Sequence, residues 1–146
     1  MEALIEIGRK AKKASEELAV LHTEMKNRIL LRVAELLENF VAEILQANEL
    51  DLKQGKEMGL QGAMMDRLTL TEERIAGIAE GLRQVVQLED PIGDIEMMKK
   101  RPNGSLIGKK RVPLGVVGVI YESRPNVTAD VAGLCIKTGN VCVLRG

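Results

Sequence analysis

The sequence predicts an incomplete α/β fold in which N-terminal helices precede a basic β-hairpin and one βαβ unit of a parallel sheet. Three observations predict it: apolar residues at steps of three and four before residue 90, Asn103-Gly104 between basic arms, and two short apolar runs around a helix-like segment. The predicted divisions are residues 1–90 for the helical region, 91–112 for the hairpin arm and 113–146 for the start of a sheet domain.

The helical region begins with two amphipathic patterns. The first apolar stripe comprises Leu4, Ile7, Ala11, Ala14, Leu18 and Leu21. The second runs from Met25 to Ile44, with Thr23 as a candidate N-cap, and we expect the two helices to form an antiparallel pair. A short helix is predicted around residues 51–58. Another is predicted from Thr71 to about residue 88, with acidic residues in its first turn that suit the helix dipole.

The segment after Asp90-Pro-Ile-Gly93 predicts a hairpin with basic arms. Asn103-Gly104 is the pair favoured where both central turn residues need positive φ, which indicates a two-residue turn. Pro102 cannot donate to a β-ladder, so this arm is expected to be an edge or a bulge. The clustered lysines and arginines leave two roles open, an association arm or a ribbon that enters a nucleic-acid groove.

The last segment predicts strand, crossover helix and strand. LGVVGVI after Pro113 is typical of a strand buried on both faces, residues 127–137 are helix-like, and VCVL predicts a second buried strand. Gly115-x-x-Gly118 lies within the first strand and is not a G-x-G-x-x-G turn, so these glycines are expected to allow close packing or a bend. Because one βαβ unit leaves strand edges unsaturated, we expect the chain to be the N-terminal part of a larger α/β protein.

The composition of the chain disfavours several classes of function. Lys+Arg and Asp+Glu both number 21, and Phe40 and Tyr121 are the only aromatic residues, which disfavours nucleic-acid and base-stacking surfaces. No apolar run approaches the ~20 residues needed to span a bilayer, and no signal peptide is evident, so a cytoplasmic location is predicted. Two cysteines and one histidine predict neither a structural disulfide nor a metal site.

The stretch YESRPNVT, residues 121–128, follows the first predicted strand and is the strongest candidate for a ligand-binding corner. In open α/β sheets, ligands bind beyond the carboxyl ends of the strands. Arg124 offers a planar fork of donors that matches phosphate or carboxylate, and Pro125 fixes the local backbone. Asn126 and Thr128 can cap the next helix or donate to a ligand oxygen. The alternative is a capped helix beside a surface arginine.

Several segments together resemble one enzyme family. RVPLGVVGVIYESRPNVTADVAGLCIKTGNVCVLRG closely resembles the start of the cofactor domain of γ-glutamyl phosphate reductase, in the aldehyde dehydrogenase superfamily, and upstream KNRIL, AMMDRLTLT and DPIG resemble its N-terminal region. The resemblance implies an aldehyde-dehydrogenase-like, Rossmann-type domain. It also implies NADPH-dependent reduction of L-glutamate 5-phosphate to L-glutamate 5-semialdehyde in proline biosynthesis, and homo-oligomers joined through the hairpin.

The same resemblance assigns candidate site residues. Tyr121, Glu122, Ser123 and Arg145 would bind the cofactor, and Arg124 and Asn126 would face the charged end of the substrate or the developing oxyanion. Arg145 lies where relatives in the superfamily often carry a lysine that reaches the cofactor ribose. Its guanidinium would suit the 2′-phosphate of NADPH.

The family mechanism requires a cysteine thiolate that attacks the acyl phosphate. Cys135 lies in the middle of a predicted helix and Cys142 lies between valines in a predicted strand, and apolar burial leaves a thiol inert. Both are predicted to be structural, so no catalytic residue is assigned and the chain alone is expected to be inactive. A non-catalytic interaction module and, less favoured, a nucleic-acid binder with no small-molecule substrate remain the alternatives.

Overall fold

A computed structural model describes residues 2–122 and 124–145 of the chain. The helices are α1 (Glu2–Leu18), α2 (Thr23–Asn39), α3 (Val41–Glu57), α4 (Ala63–Leu68), α5 (Glu72–Gln87) and α6 (Pro125–Lys137). The strands are β1 (Ile95–Lys100), β2 (Leu106–Lys110), β3 (Val116–Ile120) and β4 (Val141–Arg145). They form two separate two-stranded sheets, β1 with β2 and β3 with β4. The predicted order of helices, hairpin and βαβ unit is confirmed.

The core lies between α2, α5 and α6, which pack against one another. Its fully buried centre consists of Leu30 and Ala34 from α2 and Ala79 and Leu82 from α5. Small alanines opposite leucines let the two helices approach closely, as interdigitated packing requires. The predicted helix from Thr71 is confirmed, because the Thr71 side chain accepts a hydrogen bond from a backbone amide of the first turn.

The predicted pairing of the first two helices is wrong. α1 packs against β3 and β4, because its stripe with Ala11 and Ser15 covers the otherwise open sheet. The second stripe is divided at Phe40, whose φ of −109° and ψ of 28° separate α2 from α3, so the predicted helix at 51–58 is the end of α3. Thr23 is the first residue of α2 and not its cap; its hydroxyl donates to Asp90 Oδ2 at 2.7 Å.

The hairpin arm, defined here as residues 94–111, has an antiparallel ladder with an irregularity between Ile95 and Met97. The predicted two-residue turn is wrong. The Gly104 amide donates to the Arg101 carbonyl at 2.9 Å, so Pro102 and Asn103 are the central residues and Pro102 lies in the turn. Gly104 follows with a φ of 86°, a conformation that glycine adopts without steric cost.

β3 and β4 form a parallel pair in which Val116 lies opposite Val141 and Ile120 opposite Arg145. Asn140, which lies just before β4, holds the start of β3 in place. Its Oδ1 accepts a hydrogen bond from the Gly115 amide at 2.9 Å, and this bond fixes the bend before β3. The prediction that β3 is buried on both faces is wrong. Alternate residues are exposed, Ile120 by 87%, because within the described residues one face of this strand carries no covering layer.

No helix within the described ranges is both long and apolar enough to cross a membrane.

Candidate functional site

The corner after β3 leads from the carboxyl end of that strand to the start of α6 and lies beside the carboxyl end of β4. The Tyr121 amide donates to the Arg145 carbonyl at 3.0 Å, which extends the ladder past Ile120. The Tyr121 hydroxyl lies 2.5 Å from Thr128 Oγ1, so the strand end is tied to the first turn of α6. α6 begins at Pro125, whose missing amide costs nothing at the first helical position. Among the residues that the structure describes, no side chain caps this helix through a hydrogen bond, so the capping role predicted for Asn126 and Thr128 is wrong.

An apolar cavity of about 910 Å³ separates this corner from the helical region. Tyr121, Arg124 and Pro125 line it on one side. The opposite wall is made by side chains of α2, α3 and α5 and of the segments around α4. These include Leu37, Ile44, Leu60, Leu70, Ile75 and Ile78. Arg124 is exposed, so its guanidinium lies at the edge of an apolar space where a charged ligand group could meet it.

A second groove of about 450 Å³ adjoins the first and is polar. Its charged and amide lining consists of three arginines, two aspartates and one asparagine: Arg67, Arg74, Arg124, Asp66, Asp130 and Asn126. Arg74 is held in place, since it donates to the Thr69 carbonyl at 2.7 Å and to Asp66 Oδ1 at 2.9 Å. Arg67 and Arg74 are not among the predicted site residues, although both lie in or beside the segment AMMDRLTLT that carries part of the family resemblance.

The predicted site residues are only partly brought together. Arg124 and Asn126, the predicted substrate pair, share the polar groove, where Asn126 Nδ2 donates to Asp130 Oδ2 at 3.0 Å. Of the predicted cofactor residues, Tyr121 lines the apolar cavity, whereas Glu122 and Arg145 line neither space. Ser123 lies outside the described residues. The assignments themselves stay predictions.

The two cysteines lie in apolar surroundings. Cys135 is buried on α6, and burial together with the neighbouring Cys142 thiol raises its pKa. Cys142 is half-buried on β4. A raised pKa keeps Cys135 protonated at neutral pH, which is the opposite of what a nucleophile needs.

The hairpin arm neutralises part of its own charge. Glu96 accepts from Lys109 at 3.0 Å and from Arg111 at 2.5 Å, and these hydrogen bonds lower the pKa of the Glu96 carboxyl. The arm is therefore distinguished by exposed apolar side chains as well as by its lysines. They are Ile95, Met97, Met98, Leu106 and Ile107.

Comparison with known proteins identifies the relatives of this arrangement. No family model matches the chain. It is 54% identical over all 146 residues to the γ-glutamyl phosphate reductase of Carboxydothermus hydrogenoformans, and 55% identical over 139 residues to that of Halothermothrix orenii. The crystal structure of γ-glutamyl phosphate reductase from Thermotoga maritima, 38% identical, superimposes on 98% of the chain with a TM-score of 0.94. The chain is a homologue of γ-glutamyl phosphate reductase.

The match to γ-glutamyl phosphate reductase is confined to the N-terminal portion of that enzyme. The chain spans 35% of the C. hydrogenoformans reductase and 34% of the T. maritima chain, that is, about a third of the length of its relatives. The reductase from Saccharomyces cerevisiae shows the same fold at 34% identity, with a TM-score of 0.90 over 97% of this chain. The resemblance inferred from YESRPNVT and KTGNVCVLRG is thereby confirmed.

Proposed function

We propose that this chain supplies the N-terminal helices and the anion-binding corner of a cytoplasmic, NADPH-dependent reductase of L-glutamate 5-phosphate in proline biosynthesis. The observation that carries the proposal is the identity of 54% over the whole chain with a reductase of that name. The polar groove with Arg67, Arg74 and Arg124 supports it, because guanidinium groups match the geometry of phosphate and carboxylate oxygens.

In this proposal, Arg124 and Asn126 orient the substrate. Arg124 lies where the apolar cavity meets the polar groove, so it can pair with a charged end while the methylene chain lies against apolar residues. The amides of the first turn of α6 face the same region and favour negative charge by ~0.3–1 kcal/mol. Together these groups would hold the acyl phosphate and its developing oxyanion.

The cofactor is proposed to lie beyond the carboxyl ends of β3 and β4, against Tyr121, Glu122, Ser123 and Arg145. NADPH would supply the hydride. Arg145 is exposed at the end of β4, next to the backbone of Tyr121, so its guanidinium is accessible to a 2′-phosphate. A charge-assisted hydrogen bond of this kind contributes ~1.5–3 kcal/mol, equivalent to roughly 10- to 100-fold in affinity.

The chain alone is proposed to be inactive, because a thioester mechanism needs an exposed thiolate. Cys135 is buried with a raised pKa, and Cys142 packs within β4. Neither meets that requirement. The attacking sulfur would come from a region of the reductase that this chain does not match.

A chimera tests this proposal. The 146 residues replace the matched segment of the C. hydrogenoformans reductase, and glutamate-phosphate reduction is measured with NADPH. We expect activity from the chimera and from its Cys135→Ser/Cys142→Ser form, and none from the 146-residue chain. Turnover by the chain alone, or loss of activity on replacing either cysteine, would contradict the proposal that the attacking sulfur lies outside this chain.

The cofactor assignment has its own test in the same chimera. Arg145→Ala should weaken NADPH binding by roughly 10- to 100-fold and leave NADH binding nearly unchanged. Arg9→Ala, an exposed arginine on α1, is the matched control. Equal losses for both cofactors would show that Arg145 does not read the 2′-phosphate.

We propose further that the hairpin arm joins two copies of the protein. Both strands are exposed along their whole length, and an isolated two-stranded hairpin is marginally stable in water. Leu106→Glu on the arm should lower the association state measured by sedimentation. Leu50→Glu, on α3 and similarly exposed at 70% against 65%, should not. Identical association states for the two variants would refute the role of the arm.

A further inference from the structure

A buried cluster of charged side chains lies away from the corner, at the opposite end of α6. Lys26 of α2 and Lys137 of α6 are each only 2% exposed, and Lys26 forms a salt bridge with Asp90 in the segment after α5. The Lys137 ammonium donates to Asn27 Oδ1 at 2.8 Å and to the Val86 carbonyl at 2.9 Å. Three elements distant in sequence therefore meet at these two ammonium groups.

Each ammonium of the cluster has its own partners, a carboxylate for Lys26 and two neutral oxygens for Lys137. Lys26 is paired with Asp90, which also accepts from Thr23 and from the Ile92 amide at 3.0 Å. Lys137 bonds to a carbonyl in the last turn of α5, where the helix dipole is negative and the final carbonyls have no intrahelical partner. A lysine at the end of α6 thus caps the end of α5.

Burying an ammonium is costly, and an apolar side chain of similar length would fill the same space at less cost. The ammonium adds hydrogen bonds, whose strength depends on direction, and an apolar side chain has none. The hydrogen bonds of Lys137 to Asn27 and Val86 favour one rotation and one axial position of α6, whereas apolar contacts tolerate sliding. A buried polar group of this kind specifies register.

α6 is held at a second point by close packing. A Cβ added to Gly133 would lie 2.5 Å from Leu82 Cδ2, so the helix axis approaches α5 as closely as glycine allows. Gly133 fixes the distance between the helices, and Lys137 fixes rotation and axial position. With 13 residues, α6 is a rigid rod of about 20 Å that carries both restraints to its first turn.

From these contacts we propose that Lys137 is a positioning residue for the corner: through α6 it fixes where Arg124, Asn126 and Thr128 lie over the two cavities. The relevance to catalysis rests on the proposed function. The positioning itself does not rest on the proposed function, because it can be measured without a ligand.

The chain contains a built-in reporter. Tyr121 is the only tyrosine and there is no tryptophan, so the near-ultraviolet circular dichroism of tyrosine and its fluorescence come from the corner alone. The Tyr121 hydroxyl contacts Thr128 on α6, which makes both signals sensitive to the position of that helix.

The experiment compares the wild-type chain with Lys137→Met, which keeps the length of the side chain but removes the donors. Lys56→Met, in the last turn of α3 and exposed, is the control. At a temperature where far-ultraviolet dichroism shows each variant folded, Lys137→Met should lose at least half of the tyrosine dichroism and increase iodide quenching about twofold. Lys56→Met should match the wild type.

If Lys137→Met does not fold, Asn27→Ala provides the same test, because it removes one acceptor and leaves the ammonium in place. A folded variant of either kind with an unchanged tyrosine signal overturns the positioning role. In the chimera, Lys137→Met should also lower kcat/KM for glutamate-phosphate reduction about tenfold. If the tyrosine signal changes while kcat/KM does not, the positioning stands and the proposed function of the corner fails.

Discussion

The side-chain Oδ1 of Asn48 accepts a hydrogen bond of 2.8 Å from the backbone amide of Leu70, 22 residues away. The Asn48 amide group donates in turn to the Leu68 carbonyl at 2.9 Å. One buried asparagine on α3 therefore satisfies a carbonyl at the end of α4 and an amide of the segment that connects α4 to α5. Leu70 lines both cavities, so this contact also shapes the candidate site.

Asn48→Ala should lower the free energy of unfolding by about 1–3 kcal/mol, because it leaves a backbone amide and a carbonyl without partners in a half-buried place. Asn48→Asp should be no better, since a carboxylate cannot donate to Leu68. Urea denaturation measures the change. Asn39→Ala, an exposed asparagine at the end of α2, is the control and should stay within about 0.5 kcal/mol. Equal effects at the two positions would show that the contact does not stabilise the fold.

Gly133→Ala should destabilise the chain by about 1–3 kcal/mol, although alanine favours helices. The added methyl group would lie 2.5 Å from Leu82, which is only 2% exposed and has no room to move. Gly81→Ala on α5, with no neighbouring atom within 4 Å of the new methyl group, should instead stabilise by about 0.5–1 kcal/mol.

A double-mutant cycle by urea denaturation isolates this contact. Leu82→Ala removes the colliding atoms, so Gly133→Ala should cost much less in that background than in the wild type. Additive losses would mean that the two residues do not collide and that α6 is held at a greater distance than the structure indicates.

The parts of the fold that the sequence predicts are those with a local pattern. Thr71 and the residues after it carry both a cap and a stripe, and α5 matches within a residue. The partner of α1 could not be predicted, because an apolar stripe specifies that it is buried but not against which surface. The turn before Gly104 differs from the predicted two-residue turn because Asn-Gly also suits a longer connection when a proline precedes it.

The residues of the candidate site also divide into those with a local signal in the sequence and those without one. Arg124 was found because it stands between a strand and a proline, a local signal. Arg67 and Arg74 reach the same groove from another part of the chain, and only tertiary packing brings them there. The burial of Lys137 could not be predicted, since a lysine in the last turn of a helix is ordinarily solvated. Its burial depends on contacts with residues 51 and 110 positions away.

Asp90 makes the fold sensitive to acid. Burial opposes its ionisation, but hydrogen bonds from Lys26, Thr23 and Ile92 outweigh burial and lower the pKa of Asp90. Because the pKa is lower in the folded chain, the stabilisation is present above the ordinary value of about 4 and is lost as the pH falls through the folded value.

Asp90→Asn should therefore cost about 3–5 kcal/mol at pH 7, since it leaves Lys26 buried without its counter-charge. Urea denaturation at several pH values should show the gap between wild type and variant closing below about pH 4. Glu89→Gln, the exposed neighbour, is the control. A gap that stays constant down to pH 2 would mean that the Asp90 carboxylate contributes nothing through its charge.

Lys137 gives a dependence of the same direction at alkaline pH, where stability again rises with pH. Burial lowers its pKa, Lys26 nearby lowers it further, and Asp90 opposes both. The folded pKa is below the unfolded one, so in the window between them the unfolded chain holds more protons and stability rises with pH. The difference in unfolding free energy between wild type and Lys137→Met should therefore shift in favour of the wild type as the pH rises from 8 towards the ordinary lysine value of about 10.4. The difference between wild type and Lys56→Met should stay flat. A difference that is constant or moves towards Lys137→Met would show that the buried ammonium is not desolvated as its contacts imply.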